Sequence, residues 1–224
     1  MSLRQRYLQL ALISVAGGAI YPLVYMRQNF ELSMLEAFSI SAAELQSCYA
    51  LLGALFVLTY LPSGWLADRF RLRYLIAGSL IATGLIGIWF ATFPPLDQVR
   101  LIFIGWGLSS GLTFWAAMIK AVSLIAPLSA QGRFFGWLEG GRGAVEALLA
   151  SLAVGLFALL LSRSEVLVGS ALQVVIWLYA GFSIAVAWPV LNWLNDDEEF
   201  CSQPAKEKVE PRALMADLGL LARN

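Results

Sequence analysis

Six long apolar stretches limit what this 224-residue chain can become. They run over about 7–32, 44–66, 72–92, 99–125, 133–161 and 166–193. Each is near or above the roughly 20 residues that a helix needs to cross the hydrocarbon of a bilayer. Inside hydrocarbon every backbone N–H and C=O must find its partner within the protein, which leaves helices or closed barrels. Barrel strands alternate over about ten residues, and these uninterrupted runs do not. The expected fold is all-α: a polytopic membrane protein with six transmembrane helices over 1–194 and a polar cytoplasmic tail over 195–224.

Composition supports lipid as the solvent. Charged residues make up 13% of the chain, against about 25% in soluble domains. Fifteen basic and fifteen acidic residues cancel, and no nucleic-acid partner is expected. Histidine is absent, which removes the commonest metal ligand and near-neutral proton relay. Cys48 lies in an apolar run and Cys201 in the tail, so the two thiols are expected to stay unpaired. No cofactor and no metal are expected. The first 26 residues have a basic start and an apolar run without a small-x-small cleavage site. They read as a retained first span rather than a signal peptide.

Orientation follows from where lysine and arginine fall. Arg4, Arg6, Arg69, Arg71, Arg73, Arg133, Lys206, Lys208, Arg212 and Arg223 gather on one side, and Arg100 and Arg163 on the other. This bias puts both termini in the cytoplasm, as an even number of spans requires. In the tail, 211–221 has Leu214, Leu218 and Leu221 on one face, the pattern of a short interfacial helix.

Charges inside the spans are the candidates for function, because an ionisable group at membrane depth costs several kcal/mol unless it is paired or hydrated. They are Arg27, Lys120, Glu139, Arg142 and Glu146. Glu139, Arg142 and Glu146 are spaced to share one helix face. Gly140, Gly141 and Gly143 among them let a second helix approach. Lys120 and Glu139 have similar depth, which predicts an ion pair between them. Structural pairing is the leading reading for Lys120, Glu139 and Arg142. Glu146, nearer mid-membrane, is the better functional carboxylate, for a proton, a cation or a balance to Arg142. A straight first helix places Arg27 near the outer surface as an end-anchor with Glu31 its one partner. A kink at Pro22 would lower it into the bundle. Tyr21 and Tyr25 share a face beside it, lining either a pocket or the packed core.

Two motifs carry a family resemblance. Gly64-Trp65-Leu66-Ala67-Asp68-Arg69-Phe70-Arg71-Leu72-Arg73, between spans two and three, resembles the major facilitator loop signature G-x-L-a-D-r-x-G-r-[RK]. Gly64, Leu66, Asp68, Arg69 and Arg73 match, whereas Arg71 replaces the second glycine and Leu72 the next basic residue. The resemblance implies a cytoplasmic gating loop whose Asp68, set in a tight turn near a helix N-terminus, latches one half of the transporter to the other. The segment Tyr25-Met26-Arg27-Gln28-Asn29-Phe30-Glu31-Leu32 resembles the end of the first helix in organophosphate and sugar-phosphate antiporters. It implies that Arg27 faces the pore and binds a phosphate, with Tyr25 and Tyr21 beside it, deeper than the straight-helix estimate.

The resemblance covers about residues 5–195, the N-terminal six-helix half of such a transporter. It implies secondary transport of a small organic anion, such as a sugar phosphate, across a bacterial inner membrane. A second six-helix half or self-association would complete the transporter, and the charge bias disfavours an inverted partner. The alternatives are a truncated or split product that does not transport by itself, and a membrane scaffold or regulatory subunit. No catalytic set converges, so no enzyme is expected.

Overall fold

The computed structural model describes residues 2–162 and 167–195, and it is helical throughout. The interfacial helix expected over 211–221 lies outside the described residues, as do Cys201 and the tail. Among the described residues, eight α-helices make six segments long and apolar enough to cross a membrane. The first segment holds α1 (Leu3–Val24) and α2 (Arg27–Phe38). The second is α3 (Ala42–Arg69) and the third α4 (Leu72–Phe90). The fourth joins α5 (Leu96–Trp106) and α6 (Trp115–Ile125) through a π-helical stretch, Gly107–Phe114. The fifth is α7 (Gln131–Leu161), entered by a 3₁₀ turn, and the sixth is α8 (Val168–Trp193).

The ends extend beyond the apolar runs because polar caps continue the helices. Ser2 and Gln5 cap α1 reciprocally, so the helix starts at Leu3, four residues before the apolar pattern begins at Tyr7. Ser41 and Glu44 do the same for α3. Such caps satisfy the N–H groups left open in a helix's first turn. The first segment continues to Phe38 rather than ending near Leu32, since Phe38 stacks on Phe90 at 4.4 Å. Left-handed Ser39 then stops the helix.

Helices α1 and α4 pack against α8, and α1 also crosses α7. The α1–α7 crossing is close because of glycine. A Cβ on Gly18 would stand 2.5 Å from Val145 Cβ and 2.8 Å from the Arg142 carbonyl oxygen. One on Gly141 would stand 2.9 Å from Ser14 Cβ. Gly140 and Gly143 do not share this role, because a Cβ there meets nothing within 4 Å.

Three contacts tie the bundle together at the end where the N-terminus lies. Arg6 donates to the Ile125 carbonyl at 2.6 Å, and Gln9 to that of Trp193 at 2.7 Å. Lys120 donates to the Ala67 carbonyl at 2.9 Å. Each cation or amide serves carbonyls that a helix C-terminus leaves open. Cys48 is buried and free.

Candidate functional site

The middle of the fourth segment is where polar groups enter the apolar bundle. Ser79 donates to the Ser109 carbonyl, and the Thr83 and Ser109 hydroxyls lie 2.8 Å apart. Trp106 Nε1 donates to the Thr83 carbonyl at 3.2 Å. Ser110 and Thr113 return hydrogen bonds to the Trp106 and Ser109 carbonyls. These hydroxyls satisfy carbonyls in a stretch where the α pattern is widened, as π turns near functional sites often do. The stretch also lies tight on α3: a Cβ on Gly111 would be 2.7 Å from Phe56 and from Thr59 Oγ1.

Beside it lies a cavity of about 410 Å³. Tyr21 and Tyr25 of the first segment, Phe56 and Tyr60 of α3, Trp115 of α6, and Arg142 and Glu146 of α7 form its walls. Segments one, two, four and five therefore surround it, while α4 and α8 stand behind. The Arg142 guanidinium lies 4.9 Å from the Tyr21 ring centroid and donates to Glu139 at 2.5 Å. Its Nε is buried without a hydrogen-bond partner. Tyr21 stacks on Tyr25 at 5.7 Å and meets Trp115 edge-on at 6.2 Å. Glu146 is the central residue of the 31-residue α7, so the cavity reaches the mid-plane of the bundle.

Arg27 stands elsewhere. The first segment is broken at Tyr25–Met26, three residues past Pro22. Tyr49 of α3 bonds to both sides of the break, donating to the Val24 carbonyl at 3.2 Å and accepting from Arg27 N–H at 3.4 Å. The Arg27 guanidinium lies over the Tyr49 ring at 4.9 Å and donates to Gln46. Those partners belong to the first eight residues of α3, so Arg27 sits toward the end of the bundle opposite the N-terminus. It does not pair with Glu31. It lines its own pocket of about 360 Å³, which shares Tyr25, Gln28 and Phe56 with the main cavity.

The expected Lys120–Glu139 pair is not formed. Lys120 turns toward α3 and meets Asp68 at 2.9 Å, while Glu139 takes Arg142. Equal depth did not decide the pairing; the directions in which α6 and α7 present these residues did. Asp68 is not at a helix N-terminus either. It lies in the last turn of α3, where the helix dipole disfavours a carboxylate, and the Lys120 ammonium offsets this. Gly64 is also helical and faces open space. Arg69 lies over Trp65 at 4.4 Å, and Arg73 over Tyr74 at 5.0 Å.

Sequence reasoning missed Gln28, Phe56, Tyr60, Ser110, Gly111 and Trp115. One signal was present: Ser109-Ser110-Gly111 interrupts the fourth apolar run at its centre.

A membrane bundle with a charged cavity among segments one, two, four and five has the layout of half a membrane permease. Residues 8–224 match the Major Facilitator Superfamily, and the chain belongs to that superfamily. It is a membrane protein with six spans. It is 32% identical over 206 residues to inner membrane protein YqcE of Escherichia coli K12, covering 91% of this chain and 47% of that protein. It is 29% identical over 211 residues to inner membrane protein YihN of the same strain, covering 93% and 48%. The chain thus spans about half the length of the curated relatives it matches.

Proposed function

We propose that these six spans form the first bundle of a secondary transporter for a small organic anion, such as a sugar phosphate, in a bacterial inner membrane. A second six-helix bundle would close the cavity, and transport would follow from rocking of the two bundles about it. The observation that carries this reading is the cavity's open side. Glu139 is half exposed, and Arg142 and Glu146 line a cavity that the chain's own helices leave open. Lipid does not solvate such groups, so a water-filled cleft against a second bundle fits them.

Arg27 and Arg142 are the proposed anion ligands, since a guanidinium offers a fixed donor fork to phosphate or carboxylate oxygens. Tyr21 and Tyr25 would form the wall between them. Asp68, held by Lys120, would serve with Gly64, Arg69 and Arg73 as the cytoplasmic latch toward the second bundle.

The test is binding of phosphate and sugar phosphates to the purified chain in nanodiscs, with Arg27→Ala beside it. We expect at least tenfold weaker binding in the variant, at unchanged helicity. Equal binding would remove Arg27 from the site. Absence of binding in the folded wild type would remove the anion reading for these six spans.

The proposed orientation puts both termini in the cytoplasm. In a Cys48→Ala background, a membrane-impermeant maleimide should label Cys201 only after the cells are permeabilised. Labelling of intact cells would invert the assignment.

A further inference from the structure

Three neighbouring spaces meet at one point of the first segment. The main cavity holds Arg142, and the pocket of about 360 Å³ holds Arg27. A third pocket, of about 270 Å³, lies between the first segment and α7 and reaches Glu146. Gln28 and Asn29 form one of its walls, and among the described residues no lysine or arginine lines it. Tyr25 and Gln28 border all three spaces.

The chain leaves two amides open here. Past the break at Tyr25–Met26, the backbone N–H groups of Gln28 and Asn29 donate to the Tyr25 and Met26 carbonyls at 3.0 and 3.2 Å. Both residues are exposed, and among the described residues neither side chain makes a hydrogen bond. An amide without partners is costly in hydrocarbon, so this pair faces water or a ligand. On the opposite wall, Gly143, Ala147 and Ala150 follow at i, i+4 and i+7 and share one face of α7. Their small size leaves the pocket its room, and a Cβ on Gly143 would meet nothing within 4 Å.

Charge decides what fits. An anionic group finds cations in the two arginine-lined spaces. In the third pocket it would meet the Glu146 carboxylate instead. Neutral hydroxyls suit this lining. Each amide carries two N–H donors and an acceptor oxygen, a carboxylate accepts, and a hydroxyl does both.

We propose that the third pocket seats the uncharged, hydroxyl-bearing part of the substrate, with Gln28 and Asn29 bonding its hydroxyls. Gln28, on the edge shared with both arginine-lined spaces, holds that part beside the bound anionic group. The proposal rests on the anion reading above and narrows it to polyhydroxylated anions.

The experiment measures affinities of methyl phosphate and glucose 6-phosphate for the purified chain in nanodiscs. At about pH 8 both monoesters are mainly dianionic, because their second pKa is about 6. The two ligands share the phosphate, and only the second carries hydroxyls. One hydrogen bond is worth about two- to tenfold in affinity. With two amides engaged, the wild type should prefer glucose 6-phosphate by about tenfold or more. Gln28→Met and Asn29→Leu should each lower that preference by about two- to tenfold. Ala147→Leu fills the pocket from the opposite wall without removing a polar group, and it should lower the preference too. Circular dichroism checks that each variant is folded, and should Gln28→Met fail to fold, the other two decide.

An unchanged ratio of the two affinities in the folded variants would overturn the proposal. A wild type that binds both ligands equally would also overturn it, while leaving the anion reading in place. A wild type that binds neither ligand removes the anion reading, and this proposal with it.

Discussion

Replacing Gly18 by leucine should break the crossing of α1 with α7. The new Cβ would lie 2.5 Å from Val145 Cβ and 2.8 Å from the Arg142 carbonyl oxygen. A side chain can rotate away, but a helix carbonyl cannot, so the two helices must separate. Overpacking commonly costs about 1–3 kcal/mol, and contact with backbone puts this site at or beyond the upper end. Unfolding in detergent, followed by tryptophan fluorescence, reads the loss. Gly140→Leu and Gly143→Leu provide the contrast, because a Cβ at either position meets nothing within 4 Å. Both should be at least as stable as wild type, because the added Cβ meets open space and losing a helix-interior glycine gains up to about 1 kcal/mol. Wild-type stability in Gly18→Leu would contradict the close crossing.

Arg142→Ala should have the second large effect, this time on binding. It deletes the cavity's own cation, which packs on Tyr21 and keeps a buried Nε free. Anion affinity should fall by about 10- to 100-fold, equivalent to about 1.4–2.8 kcal/mol. The effect on stability should be smaller. Glu139 loses its partner but is half exposed, so water replaces part of the interaction. Arg142→Lys should recover part of the affinity, since it returns the charge without the planar fork. Titration calorimetry of the three proteins decides the matter. Loss of binding in Arg27→Ala with full binding in Arg142→Ala would confine the anion to the Arg27 pocket.

The spans were legible because hydrocarbon demands long apolar helices, and that demand is written directly into composition. The charged residues stood out for the same reason. Their grouping was less accessible. Spacing along α7 put Glu139, Arg142 and Glu146 on one face, and the Arg142–Glu139 contact follows from it. Spacing says nothing about which neighbouring helix turns toward that face. Lys120 was therefore matched to Glu139 by depth, although its side chain points to α3. Pro22 announced a disturbance in the first span, but the break falls at Tyr25–Met26, where Tyr49 from another helix holds both sides. Phe56, Tyr60 and Trp115 look like ordinary packing residues in sequence, and only the approach of α3 to the fourth span makes them cavity walls.

The link between α3 and α4 is two residues, Phe70 and Arg71. The three Cα-to-Cα steps from Arg69 to Leu72 reach about 11 Å at most, and spanning helix axes about 8–10 Å apart uses most of that, which leaves too little to let one helix slide along the other by more than about one turn. The Ser79 and Thr83 contacts fasten α4 in turn to the widened part of the fourth span. Mechanically, the cavity wall and its backing are therefore coupled like the two arms of a rigid bracket. Asp68, at the bracket's corner, shares α3 with the cavity-wall residues Phe56 and Tyr60, and Pro62 between them is the one place where that arm gives up a helical hydrogen bond.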